Sequence, residues 1–139
     1  MDVTFLKRGF LQRMFGRPVT QPPQDPHCWR YEKGEVVVDL SRAPEIGRRG
    51  GGLRLEGKGL PARVLVIHGD DGAYHAFRNR CGHAGRRLDP VPGTQTVQCC
   101  SVGKSTYDYE GKLLFGPAKK TAGCHKVQVE DGRIRITLR

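Results

Sequence analysis

Tyr74-His75-Ala76-Phe77-Arg78-Asn79-Arg80-Cys81-Gly82-His83 runs from a strand-like alternation into a loop that carries a thiol and an imidazole two residues apart. After sixteen intervening residues a second cysteine loop follows, in Cys99-Cys100-Ser101-Val102-Gly103-Lys104-Ser105-Thr106-Tyr107-Asp108. A C-x-H pair in a glycine-containing loop can aim both side chains at one small object, and a cysteine loop opposite can close the other side. Thiolate and imidazole are ligand types of iron-sulfur clusters and of zinc.

Outward from these loops the hydrophobic period is two. Segments 35–40, 53–56, 63–68, 73–78, 96–100, 106–109, 112–115, 126–130 and 134–138 are short and rich in Val, Ile, Leu and Tyr. Turn signals separate them at Arg49 to Gly52, Gly69 to Gly72, Glu110-Gly111 and Asp131-Gly132. With 19 Gly and 9 Pro in 139 residues, many short strands fit better than a few long helices. The expected fold is all-β, a small antiparallel sandwich or barrel. Before it, Phe5, Leu6, Phe10, Leu11, Met14 and Phe15 predict a short amphipathic helix, and Pro18, Pro22, Pro23 and Pro26 a linker. The predicted division is residues 1–28 as helix and linker and 29–139 as one domain, with Trp29 anchoring its start.

The two loops resemble those of Rieske-type iron-sulfur domains, whose pattern is C-x-H, 15 to 17 residues, then C-x-x-H. The resemblance extends from about Gly34 to the C-terminus and includes the hairpin around Glu130-Asp131-Gly132. It implies a Rieske-like β domain with a cluster-binding loop subdomain, a 2Fe-2S cluster, and single-electron transfer as a ferredoxin or redox subunit rather than a complete enzyme. Carried over residue by residue, it makes Cys81 and Cys100 the thiolate ligands and His83 an imidazole ligand. Ser105 and Tyr107 match an S-x-Y whose hydroxyls donate to a bridging sulfide and a ligand sulfur, raising the reduction potential. The disulfide that pins the loops in high-potential members has no counterpart, since Arg86 and Val102 stand at its positions.

This sequence also departs from the pattern. Gly103 stands where the second imidazole belongs and Lys104 where the usual glycine follows; shifting the register to Cys99 places Val102 there instead. Three outcomes are open: a cluster completed by Cys99, Cys124 or His125; a single zinc ion on three Cys or His ligands; or a cluster-free interaction subunit, as in the small subunit of assimilatory nitrite reductase. His68 and His75 read as strand-face histidines and Cys28 as a passive thiol. No Ser-His-Asp order, phosphate-cradling glycine motif or carboxylate pair points to hydrolase or nucleotide chemistry.

Lys and Arg exceed Asp and Glu by 24 to 14, for a net charge of +10 spread evenly along the chain. That charge favours an acidic redox partner protein. The scattered aromatics, five Phe, four Tyr and one Trp, provide no base-stacking platform, so nucleic acid is not expected. The first sixteen residues lack the apolar run of a signal peptide, and five cysteines are an odd number. Both favour a cytoplasmic protein with thiols rather than disulfides. The N-terminal helix provides one route to contact with a membrane surface.

Overall fold

The computed structural model describes residues 19–81, 85–100, 104–118 and 121–138. The predicted N-terminal helix, His83, Gly103, Lys119 and Lys120 lie outside the described residues. Eleven short strands form two antiparallel sheets among the described residues. They are β1 (Trp29–Glu32), β2 (Glu35–Asp39), β3 (Gly52–Leu55), β4 (Val64–His68), β5 (Tyr74–Arg78), β6 (Leu88–Val91), β7 (Thr96–Cys99), β8 (Thr106–Asp108), β9 (Leu113–Phe115), β10 (Cys124–Glu130) and β11 (Arg133–Thr137). The larger sheet has the order β1-β2-β11-β10-β5-β4-β3, and β6-β7-β8-β9 form the smaller one. Among the described residues helical structure is confined to three single turns, at Pro26–Cys28, Leu40–Arg42 and Pro44–Ile46. The expected all-β architecture is therefore the observed one.

The β4–β5 hairpin is the wall between two cores. Side chains alternate across a strand, so Val64 and Val66 of β4 and Ala76 of β5 join Val36, Val38, Leu53, Leu55, Ile134 and Ile136 on one face. Leu65, Ile67 and Phe77 turn to the other face, where they meet Leu88, Val97, Cys99 and Tyr107 of the smaller sheet. Val64 to Ile67 are fully buried for this reason. A continuous apolar run in a short strand is the mark of burial on both faces.

Two strands departed from the sequence pattern. β1 is only four residues long and pairs with β2 through Lys33 and Gly34, both at positive φ. β6 contains Pro90, which a central strand would not tolerate; it lies at the edge of the smaller sheet, where a missing N–H costs least. The proline-containing segment lies against the domain. Asp89, fully buried in β6, accepts the backbone N–H groups of Val19 and Thr20 at 3.0 and 2.7 Å, and Gln21 accepts the N–H of Arg54. Trp29 is buried, with the Lys58 ammonium 4.4 Å above its ring.

Candidate metal centre

The first loop leaves β5 and is closed at its base by its own backbone. Cys81 N–H donates to Arg86 O at 2.7 Å and Gly85 N–H to Cys81 O at 3.0 Å. Asn79, 1% exposed, locks the same base: its side-chain oxygen accepts the Leu88 N–H at 2.6 Å. Arg63 adds a clamp, donating to Asn79 O at 3.0 and 3.1 Å and to Gly85 O at 2.8 Å. The second loop is closed by Cys99 N–H to Ser105 O at 2.7 Å. The loops are then joined to each other, because Cys100 N–H donates to Arg87 O at 2.9 Å where Leu88 and Cys99 begin the β6–β7 ladder. Cys81 and Cys100 therefore stand on neighbouring, mutually bonded loops, and both are buried.

Lys104 adopts φ +54°. That left-handed conformation explains why glycine is usual at this position in the family pattern, since a Cβ there meets the following carbonyl.

A third segment completes the enclosure. Ala118 N–H donates to Ser105 Oγ at 3.2 Å. Gly116, at φ +104°, passes so close that a Cβ would lie 2.5 Å from Ser105 Cα, leaving room only for glycine. Tyr107 is fully buried on β8, with its hydroxyl 3.7 Å from Cys81 Sγ. The hydroxyl can donate to the sulfur when that sulfur carries charge.

Electrostatics around Cys100 are positive. Burial, together with the like charges of Arg87 and Arg80, holds the Arg63 guanidinium below its ordinary range, opposed by Glu56 and the Cys100 sulfur. Arg87 is raised, chiefly by its two hydrogen bonds to Glu56 at 2.7 and 2.8 Å, with the Cys100 sulfur acting the same way. Glu56 itself is pulled down to about 2 by Arg87, with Arg54 helping at 3.0 Å. Charge of this sign suits anionic sulfur.

The other predicted residues fall apart from this pair to different degrees. Cys99 faces the second core with Cys81, Tyr107 and Ala118, so its alternation with Cys100 is as the strand period demands. Cys124 opens β10 opposite Phe77, its thiol directed at Tyr109 O (3.7 Å) and Ala122 O (3.9 Å) beneath Gly111. His125 pairs with Ala76 in the same ladder. Among the described residues no three His, Cys, Asp or Glu side chains are grouped to hold one metal ion. His68 is held by Ile46 O at 3.0 Å and lies tilted against the Tyr74 ring; His75 pairs with Asp71 at 2.9 Å and stacks on Tyr109. Cys28 lies in the other core, its thiol pushed up by burial and by Glu45 and Asp25. Arg87 was expected as positive charge near the loops, whereas Arg63 and Glu56 were missed by sequence reasoning, because only folding brings residues so far apart in the chain against the loops.

Two buried thiols on joined loops, with a hydroxyl beside one, suit a sulfide-rich anionic group. The donor set falls one short at Gly103.

An antiparallel two-sheet domain with paired cysteine loops at one end is the architecture of an iron-sulfur electron-transfer module. The profile of the Rieske 2Fe-2S domain family matches residues 38–130, and the chain belongs to that family, whose cofactor is a 2Fe-2S cluster. Over 110 residues it is 31% identical to the oxygenase subunit of glycine betaine monooxygenase from Chromohalobacter salexigens, matching 75% of this chain and 24% of that one. The chain thus spans about a quarter of that relative's length. It is 25% identical to the cytochrome b6-f complex iron-sulfur subunit of Chlorobaculum tepidum, matching 98% of this chain and 77% of that one. The ferredoxin of carbazole 1,9a-dioxygenase from Nocardioides aromaticivorans shares the fold, with TM-score 0.59 at 20% identity over 74% of this chain and 95% of that one.

Proposed function

We propose that this chain holds a 2Fe-2S cluster between its two loops and passes single electrons to or from a partner protein, as a Rieske-type ferredoxin or redox subunit. Cys81 and Cys100 would hold one iron, and His83 the other. The observation that carries this reading is the junction of the two loops: both thiols are buried, Cys100 N–H is bonded to Arg87 O, and the Tyr107 hydroxyl lies 3.7 Å from Cys81 Sγ. When bound, the cluster supplies one reversible electron. Tyr107 stabilises extra negative charge at Cys81, and Arg63 and Arg87 do so at Cys100; each raises the potential. Ser105 accepts the Ala118 N–H, which leaves its hydroxyl proton to point elsewhere.

The position of Gly103 leaves the fourth ligand to Cys99, Cys124 or His125. Cys99 alternates with Cys100 across the strand and Cys124 is turned toward Tyr109 O, so each would have to turn toward the cluster to serve. Relatives point to the kind of partner: one solved structure is a reduced complex between oxygenase and ferredoxin in carbazole 1,9a-dioxygenase. For this chain the net charge of +10 favours an acidic partner, and the five cysteines favour a cytoplasmic setting. Gly103 also favours a second reading, a cluster-free interaction subunit.

Iron and acid-labile sulfide per chain on anaerobically purified protein, with an electron paramagnetic resonance spectrum after reduction, separate the two. Two irons and two sulfides are expected; a folded, colourless, iron-free protein selects the interaction subunit. Gly103→His should supply the missing imidazole and move the reduced spectrum toward that of a two-imidazole cluster, whereas Gly103→Ala should leave it unchanged.

A further inference from the structure

Three guanidinium groups gather at the base of the first loop. Arg63, Arg78 and Arg80, with Pro61, Ala62 and Asn79, line a cleft of about 160 Å³. Arg80 immediately precedes Cys81, so the cleft adjoins the candidate cluster loop.

Among the described residues none of the three arginines is paired with a carboxylate. Arg63 directs its donors to the backbone oxygens of Asn79 and Gly85. The Arg78 side chain lies along Gly123, and the Arg80 guanidinium lies 3.4 Å from where a Cβ on Gly85 would stand. Glu56, the carboxylate whose charge acts on Arg63, is held by Arg87 and Arg54 instead. A second observation is independent of charge. Asn79, 1% exposed, belongs to the same lining, and its Nδ2 is a buried donor without an acceptor. Buried donors are normally satisfied, so an orphan beside unpaired guanidiniums marks a place for an acceptor.

The opposite end of the β4–β5 hairpin has the opposite sign. Asp71, Asp108 and Glu110 line a cavity of about 600 Å³ there, with His75 and Tyr109. The hairpin strands are five residues each, which separates the two ends by about 15 Å. An acidic surface is repelled from one end and drawn to the other, beside Cys81.

We propose that the Arg63–Arg78–Arg80 cleft receives an aspartate or glutamate side chain of the redox partner, anchoring the docked complex one residue from a cluster ligand. The planar guanidinium fork matches a carboxylate with two parallel N–H donors, and Arg78 and Arg80, both exposed, are available to supply it. Arg63 serves as the positioning residue, because its clamp on Asn79 and Gly85 sets the wall of the cleft. The inference rests on the redox-carrier reading.

The test uses the purified full chain, as isolated, and a fluorescein-labelled hexaglutamate peptide as probe, read by fluorescence anisotropy at several salt concentrations. Arg78→Met/Arg80→Met should weaken binding about tenfold or more, and Arg80→Glu further, while iron content and reduced spectrum stay as in the parent chain. Arg30→Met/Arg133→Met, which removes the same charge elsewhere, should change affinity less than twofold. Equal losses in the two double variants, or no loss at Arg78 and Arg80, would overturn the proposal. Inorganic phosphate binding that is lost in Arg78→Met/Arg80→Met, with peptide binding that is not, would assign the cleft to a free anion and overturn it too. A chain without iron whose peptide binding still depends on Arg78 and Arg80 would refute the redox reading and leave the carboxylate cleft standing.

Discussion

The two faces of the β4–β5 hairpin are built by different means. On one face, Val64, Val66 and Ala76 are covered by strands that pair continuously from β1 through β11 and β10, and the core closes on mostly aliphatic side chains with Trp29 and Cys28. On the other, Leu65, Ile67 and Phe77 are covered by short strands and loops that depend on single polar clamps. Asp70 accepts the N–H groups of Gly93, Thr94 and Gln95 and the Tyr109 hydroxyl, and Asn79 and Arg63 fasten the first loop. Ladder and apolar packing tolerate change because many contacts share the load; a clamp made by one residue does not. The candidate metal centre lies on the second face, where irregular backbone can aim thiols inward.

The comparison breaks most sharply at the cysteines. Cys81→Ser and Cys100→Ser should each abolish visible colour and iron, whereas Cys28→Ser, in the other core, should retain both. Unchanged iron in either of the first two would remove the assignment.

Leu65→Ala and Leu55→Ala truncate the same side chain in opposite cores, and each should cost about 2–5 kcal/mol by urea unfolding. Leu65→Ala should in addition lower bound iron. Equal iron in both variants would show that the two cores are not separate in effect.

Acid should act on the second face through Glu56. Its carboxyl is lowered from 4.5 to about 2 by Arg87, so its contribution is complete above pH 4.5 and is lost as pH falls toward 2. After allowance for partial exposure this amounts to about 2 kcal/mol. Glu56→Gln should flatten stability across that window; an identical acid profile would exclude Glu56 as the clamp on Arg87.

The smallest effect is expected at Tyr107→Phe, which keeps the packing and removes one hydroxyl donor. The reduction potential should fall by roughly 40 mV, the worth of one hydrogen bond of about 1 kcal/mol in a one-electron couple. A potential that stays put would show that the 3.7 Å contact with Cys81 carries no charge dependence.

Nine of the eleven strands were legible because β4, β5, β10 and their neighbours alternate at period two between recognisable turns. β1 was hidden by its length, and β6 by Pro90, which a sheet edge accepts. The two cysteine loops were visible in the spacing, and the roles expected of Cys81, Cys100, Ser105 and Tyr107, with the departure at Gly103, came from the resemblance to the Rieske pattern. What lay beyond the sequence was the company these residues keep. Arg63 reaches Gly85 across 22 positions, and Glu56 reaches Arg87 across 31. No local pattern encodes such pairs, since they exist only once β3, β4 and β6 are placed side by side.

Residue types and their spacing therefore determined the all-β class and the two cysteine loops, because period and motif are properties of the chain alone, and the resemblance those loops carry supplied the family and the departure at Gly103. Tertiary structure decided how the two cysteine loops are joined, which guanidiniums act on Cys100 and which are left unpaired beside Cys81. Those relations depend on distance in space, which burial of the β4–β5 wall on both faces sets.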